Sequence, residues 1–141
     1  MQNKLKSFLT AVANKNIAFT NGDFAAIQPR TLTQEDFVYA DPPYLITCAT
    51  YNEKSWNKAE EKRLLSFLDE LNENKIRFGL SNVLSTDGKT NIILQEWLVK
   101  RNYVCHHLHF SYKNSNYHKK TVTKTDEVLI TNEKTLKNHR R

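Results

Sequence analysis

Residues 37–40 form an unbroken apolar run, Phe37-Val38-Tyr39-Ala40, closed at once by Asp41-Pro42-Pro43-Tyr44. No other feature restricts the fold so sharply. An apolar run without polar alternation fits a strand buried on both faces, as in α/β sheets with helices above and below. The run must stop at the prolines, because proline has no N–H to give to a sheet ladder. A buried strand is therefore expected to deliver a carboxylate, two rigid residues and a tyrosine to the end of a sheet.

The rest of the chain supplies the layers. Leu5, Phe8, Leu9 and Val12 fall at i, i+3, i+4, i+7 and predict an amphipathic helix, so residues 1–20 read as a leading helical segment. Ile17-Ala18-Phe19 is a short strand candidate, stopped by the turn pair Asn21-Gly22. Asn57 can cap the next helix with Glu60 three residues on, and Leu64, Leu65, Leu68 and Leu71 line one face of it. Ile76 to Val83 reads as a strand and Asp87-Gly88 as a turn. Ile93, Leu94, Trp97 and Leu98 mark a helix ending near Arg101. Tyr103 to Tyr112 is a long strand candidate and Glu127 to Thr131 a last short one. Trp56 and Trp97 read as core or groove residues rather than cofactor plates.

Strands alternating with helices predict an α/β fold with a mostly parallel sheet. The two final strands have no helix between them and are expected as an antiparallel pair at one edge. Ligands of such sheets bind at the carboxyl ends of the strands, where Asp41 lies.

With 141 residues, 39% hydrophobic and 26% charged, the chain is sized for one folded domain, with no linker or repeat to divide it. No run of about 18 apolar residues exists to span a membrane, and the N-terminus lacks a signal-peptide stretch. Cys48 and Cys105 are too few for a disulfide framework and suit a reducing cytoplasm. Residues 1–99 carry 11 Lys/Arg against 12 Asp/Glu, whereas residues 100–141 carry 10 against 3 and all five histidines. A basic C-terminal section, with residues 133–141 as a basic flexible tail, suits a polyanionic partner, nucleic acid first. A solvated basic surface is the alternative.

Asp41-Pro42-Pro43-Tyr44 offers acceptors beside a flat ring, since the prolines remove two donors. That suits a planar amino group such as the exocyclic amine of a base. The amine is a poor nucleophile while its lone pair is delocalised into the ring. Hydrogen bonds from both its N–H groups to Asp41 and the Pro42 carbonyl favour a tetrahedral nitrogen, whose freed lone pair can attack a methyl group. A Pro-rich turn with an Asp cap is the alternative. The apolar strand before it and the tyrosine after it favour the chemical role.

The segment Phe37-Val38-Tyr39-Ala40-Asp41-Pro42-Pro43-Tyr44-Leu45 resembles the catalytic motif of the N6-adenine DNA methyltransferases, the Dam-type enzymes above all. Tyr51 to Trp56, Arg77 to Val83 and Thr125 to Asn132 resemble later blocks of that family in the same order. The resemblance runs from about Asn21 to Asn132. It implies a partial Rossmann-like methyltransferase sheet and methyl transfer from S-adenosylmethionine to adenine N6 in double-stranded DNA, usually at GATC sites, on a base flipped out of the duplex. Asp41, Pro42, Pro43 and Tyr44 would be catalytic, with Tyr44 stacked on the base. Asp23, Phe24 and Asp41 would face the cofactor, although Asn21 to Phe24 reads equally as an ordinary turn. Tyr51, Asn52, Lys113, Ser115, Asn116, Lys119 and Lys120 would contact DNA. Packing for Tyr51 and Asn52, and a solvated hairpin loop for the others, are the alternatives.

The family's Gly-rich loop, which nears the methionine part of the cofactor, has no counterpart among Gly22, Gly79 and Gly88. An acidic ribose-holding residue and the target-recognition region also lack counterparts. The chain thus reads as the C-terminal half of the catalytic domain, from a split gene, an internal start or a truncated remnant. It is expected to bind cofactor weakly or not at all alone, with an N-terminal companion chain as a possible partner. The rival reading is a non-catalytic nucleic-acid-binding remnant or subunit; methylation of RNA is a third. Cys105, His107 and His109 alternate on one strand but do not match paired zinc-ligand spacings, so no metal is expected.

Overall fold

A computed structural model describes residues 2–13, 15–47, 56–108 and 125–133. Helix α1 (Gln2–Ala13) leads, and two single 3₁₀ turns at Phe24–Ala26 and Pro29–Thr31 precede strand β1 (Phe37–Ala40). Helix α2 (Lys58–Glu73), strands β2 (Arg77–Thr86) and β3 (Lys89–Thr90), helix α3 (Ile92–Lys100), and strands β4 (Val104–Leu108) and β5 (Thr125–Thr131) follow.

The strands lie in the order β1-β2-β5-β4. β1 pairs parallel with β2, and β5 is antiparallel to both β2 and β4, so three of these four strands share one direction. This is a partial Rossmann-like methyltransferase sheet. The two final strands form the antiparallel pair at one edge, with β4 outermost and β5 inserted beside β2. β3 joins β2 by a hairpin in which Asp87 (φ 49°) and Gly88 (φ 76°) both turn left-handed, the geometry that a two-residue hairpin requires.

Local rules explain the helix ends. Asn57 Oδ1 accepts from the N–H groups of Ala59 and Glu60, capping α2 as its sequence predicts. The Glu60 carboxylate instead turns to Arg63. At the other end Lys75 N–H bonds to the Asn72 carbonyl and Ile76 N–H to the Leu71 carbonyl, a Schellman closure with lysine at φ 60° where glycine is usual. Asn91 caps α3 through Leu94 N–H.

Helices α2 and α3 cover one face of the sheet. Leu64, Leu68, Leu71, Phe78, Leu80, Leu94, Val128 and Ile130 make the core between them, and Trp56 and Trp97 are buried in it. Each fully buried aliphatic side chain contributes about 1.5–3 kcal/mol of hydrophobic stabilisation. Asn132 closes the sheet by mimicking a strand residue: it accepts from Phe78 N–H and donates to the Ile76 carbonyl.

Four expectations are corrected. β1 is not buried on both faces: Val38 and Ala40 meet the core, but Phe37 and Tyr39 are 55% and 57% exposed. Among the described residues β1 is the sheet's other edge, and α2 and α3 lie on one side only. Ile17-Ala18-Phe19 is not a strand, for an isolated strand has no ladder to satisfy it, and Phe19 is 94% exposed. The leading helix forms, but it stops at Ala13, and its stripe of Leu5, Phe8 and Leu9 stays exposed. The two C-terminal strand readings differ at their ends: β4 is described as Val104–Leu108, and β5 begins earlier, at Thr125.

Candidate active site

β1 carries Asp41 to the carboxyl end of the sheet. Ala40 is the last residue in register with β2, opposite Leu80, and further along β2 the hairpin strand β3 takes the same edge from Ser85 onward. The chain leaves the sheet in the gap between these pairings, with Asp41 and Pro43 exposed and Pro42 and Tyr44 half-buried. The Tyr44 hydroxyl donates to Asp41 Oδ1 at 3.2 Å. Thr47 N–H and Oγ1 both donate to the Tyr44 carbonyl, which folds residues 44–47 into a turn. Burial pushes the Tyr44 phenol up to about 12, and the negative charge of Asp41 and the hydrogen bond to it add to the effect. Tyr44 is therefore a neutral ring with a proton to donate at ordinary pH.

Beside this turn, on the face without helices, the Tyr39 hydroxyl lies 2.7 Å from Ser81 Oγ. Gly79 makes room for the pair of rings on that face: a Cβ there would come within 3.1 Å of Phe37 Cζ and 3.5 Å of Tyr39 Cδ2. The missing side chain thus lets Phe37 and Tyr39 lie close to the sheet.

Asp23 and Phe24 pack against α2. Both Asp23 oxygens are engaged: Arg63 donates to Oδ1 at 2.8 Å and Oδ2 at 2.7 Å, and Ala25 N–H caps Oδ1 at 2.8 Å. The Arg63 bonds, then the Ala25 bond, hold this carboxyl below its usual range. The Arg63 guanidinium also lies 4.5 Å over the Phe24 ring, which meets Phe67 at 5.6 Å and Trp56 at 6.5 Å. Phe24, Gln28, Arg30, Arg63, Phe67 and Glu70 border a cleft of about 410 Å³ that Asp41 and Tyr44 do not line. The structure thus brings Asp41 and Tyr44 together, and Asp23 and Phe24 together, as two separate groups. The role of Arg63 at Asp23 had no signal in the sequence, because Asp23 lies forty residues upstream.

Tyr51, Asn52, Lys113, Ser115, Asn116, Lys119 and Lys120 lie outside the described residues, as does His109. His107 Nδ1 lies 2.8 Å from Asp126 Oδ1. Burial, followed by the charge of Asp126, pushes the Cys105 thiol up. Among the described residues no three His, Cys, Asp or Glu side chains converge to hold a metal. No helix among them is long and apolar enough to cross a membrane.

Residues 1–117 match the D12 class N6 adenine-specific DNA methyltransferase family, and the chain belongs to that family. It is 41% identical over 140 residues to Modification methylase StsI of Streptococcus sanguinis, covering 96% of this chain and 21% of that protein. It is 44% identical over 137 residues to Type II methyltransferase M.FokI of Planomicrobium okeanokoites, covering 94% of this chain and 21% of that protein. Modification methylase LlaI of Lactococcus lactis subsp. lactis is 40% identical over 82 residues, 55% of this chain and 13% of that protein. The chain spans about one fifth of the length of the first two relatives.

Proposed function

We propose that this chain carries the catalytic motif for S-adenosylmethionine-dependent methylation of adenine N6 in DNA. The observation that carries the reading is the Asp41–Tyr44 pair, a carboxylate and a neutral aromatic ring set together where a strand ends beside two prolines. A flipped adenine would stack on Tyr44 and donate hydrogen bonds from its two amino N–H groups to Asp41 and the Pro42 carbonyl. These acceptors draw the nitrogen towards tetrahedral geometry and localise its lone pair. As the nitrogen formed its bond to the methyl carbon, the carbon–sulfur bond would break with its electron pair left on sulfur, releasing S-adenosylhomocysteine, and the now cationic nitrogen would lose a proton, for which Asp41 is the adjacent acceptor. GATC-type sites, which follow from the Dam-type resemblance alone, are the first substrate to test.

The residues fit one end of the cofactor. S-adenosylmethionine, when bound, supplies the electrophilic methyl group. Phe24 offers an aromatic wall, and the Arg63-held Asp23 fixes the turn that presents it. The methionine end requires a close backbone approach, for which the chain has no Gly-rich loop. A companion chain, or a further segment of a longer polypeptide, would supply that loop and target recognition. The exposed β1 edge and the uncovered Phe37 and Tyr39 rings support this second component.

Labelled methyl transfer to unmethylated GATC-containing DNA tests the proposal, with Asp41→Ala as control. Transfer by the chain alone, lost in the control, means that it is catalytically sufficient. Transfer only after addition of a family N-terminal half assigns it the role of one component. No transfer in either arrangement favours the rival reading, a nucleic-acid-binding remnant.

A further inference from the structure

Glu61, in the first turns of α2, is fully buried. Its Oε2 accepts from the Trp56 indole N–H at 2.9 Å, and its Oε1 accepts from Asn82 Nδ2 at 3.0 Å and Asn91 Nδ2 at 2.9 Å. The two amides cannot turn over freely, because each oxygen already holds a backbone N–H: Asn82 that of Val83 at 2.8 Å, Asn91 that of Leu94 at 3.1 Å. One carboxylate thus joins α2, β2, the cap of α3 and the residue where the chain enters α2. Its three donors are neutral, and among the described residues it forms no ion pair. A buried carboxylate is a poor way to gain stability alone, so its geometry points to an orienting task.

What it orients is the Trp56 ring. That ring is buried and meets Phe24 at 6.5 Å with a 55° tilt. Two residues further along α2, Arg63 grips the same Asp23–Phe24 unit. We propose that Glu61 is a positioning residue which, through the Trp56 indole, sets the angle of Phe24 at the wall that faces the cofactor. This rests on the reading of Asp23 and Phe24 as that wall.

Glu61→Gln tests it selectively. The substitution keeps an oxygen towards the two asparagines but turns an NH₂ group towards the indole N–H, donor against donor. In the ¹⁵N-labelled chain, the Trp56 indole proton should exchange about five- to tenfold faster and its ring contacts with Phe24 should weaken. Trp97, whose indole is held by Asp69, is the internal control and should not change. In calorimetry with S-adenosylhomocysteine on the chain completed by a family N-terminal half, E61Q and W56F should each weaken binding about five- to tenfold, and the double variant should bind no more weakly than W56F. A general loss of stability would lower the melting temperature without this coupling.

Unchanged Trp56 exchange and Phe24 contacts in E61Q overturn the proposal, as does additive weakening in the double variant. If E61Q does not fold, W56F decides through the ring contacts between Phe24 and Phe67, which weaken if the Trp56 bond sets the angle of Phe24 and stay if it does not. If the unsubstituted chain, completed by a family N-terminal half, takes up no S-adenosylhomocysteine, the cofactor reading of the wall fails. The exchange and ring contacts then decide the hold of Glu61 on Phe24 by themselves.

Discussion

The Tyr44 hydroxyl donates to Asp41 Oδ1 at 3.2 Å, so the ring that would stack on a base is tied to the carboxylate that would hold its amine. The bond has a separable role from the ring. Tyr44→Phe keeps the stacking face and frees an Asp41 oxygen, so methyl transfer should change by less than about fivefold. Tyr44→Ala removes the face and should cost about 5- to 150-fold, the equivalent of about 1–3 kcal/mol of stacking. Asp41→Ala should cost about 10²–10³-fold, as loss of a preorganised transition-state partner does. Steady-state transfer by whichever preparation is active, the chain alone or completed, checks the order.

The same pair has a signature in alkali. The Tyr44 phenol lies above its ordinary value of 10, at about 12, because burial and the nearby Asp41 charge disfavour phenolate. A proton held more tightly in the folded state stabilises that state fully below pH 10, and the contribution fades as pH rises through about 12. Absorbance titration at the phenolate band should show two fewer tyrosines ionising between pH 9 and about 11 than the composition demands, Tyr44 and Tyr103, whose phenol is also pushed up by burial and its bond to Asp69. The Tyr44→Phe difference spectrum should be flat there; a transition near pH 10 in that difference would refute the assignment.

Asp69 clasps α2 to α3 and β4. It accepts from the Trp97 indole at 3.0 Å, the Tyr103 hydroxyl at 2.9 Å, and Arg101 at 2.9 and 2.7 Å. Burial raises its carboxyl, but the bonds from Arg101, Tyr103 and Trp97 outweigh this and leave it below the usual 3.8. Asp69→Asn should cost about 1–3 kcal/mol in urea unfolding, since its new NH₂ faces donors. Arg101→Ala should cost less than Asp69→Asn, because its side chain is half exposed. A lowered carboxyl stabilises above its unfolded pKa and loses that contribution as pH falls through the folded value. The gap between wild type and D69N should be level above pH 5 and shrink below about 4.

What could be read from the sequence was what short-range chemistry decides. The end of β1 at Pro42, the Asn57 cap and the Asp87-Gly88 turn each depend on neighbours a few residues away. The Glu61 hub was hidden, because Asn82 and Asn91 reach it from 21 and 30 residues along the chain and only the docking of β2 and α3 brings them in. The same holds for Arg63 on Asp23. The exposure of Phe37 and Tyr39 could not be read either: an apolar run tells how well a strand tolerates burial, and whether a layer covers it depends on other elements. The left-handed Lys75 carries no glycine to betray it.

The absent Gly-rich loop sets the expected affinity for S-adenosylmethionine. Asp23 has both oxygens bound to Arg63, and the cleft at Phe24 does not reach Asp41. Calorimetry on the chain alone should therefore give weak or undetectable heats, with affinity appearing when a family N-terminal half is added. Tight one-to-one binding by the chain alone would show that this chain suffices and that no second component is needed for the cofactor.

The basic C-terminal section carries the remaining test. Lys113, Ser115, Asn116, Lys119 and Lys120 fall in a stretch rich in cations and in small hydrogen-bonding side chains, the composition that meets phosphates. Each lysine that neutralises a phosphate displaces condensed counterions, so binding weakens linearly on a double-logarithmic salt plot with a slope of about −0.9 per contact. Replacing Lys119 and Lys120 by alanine should flatten that slope by about 1.8 if both touch the backbone, and by about 0.9 if only one does. The loss should be the same on DNA of any sequence, because phosphate contacts position a protein without reading bases. Fluorescence anisotropy with a short duplex at several salt concentrations measures it. An unchanged slope would place both lysines off the DNA and leave the basic section as a solvated surface.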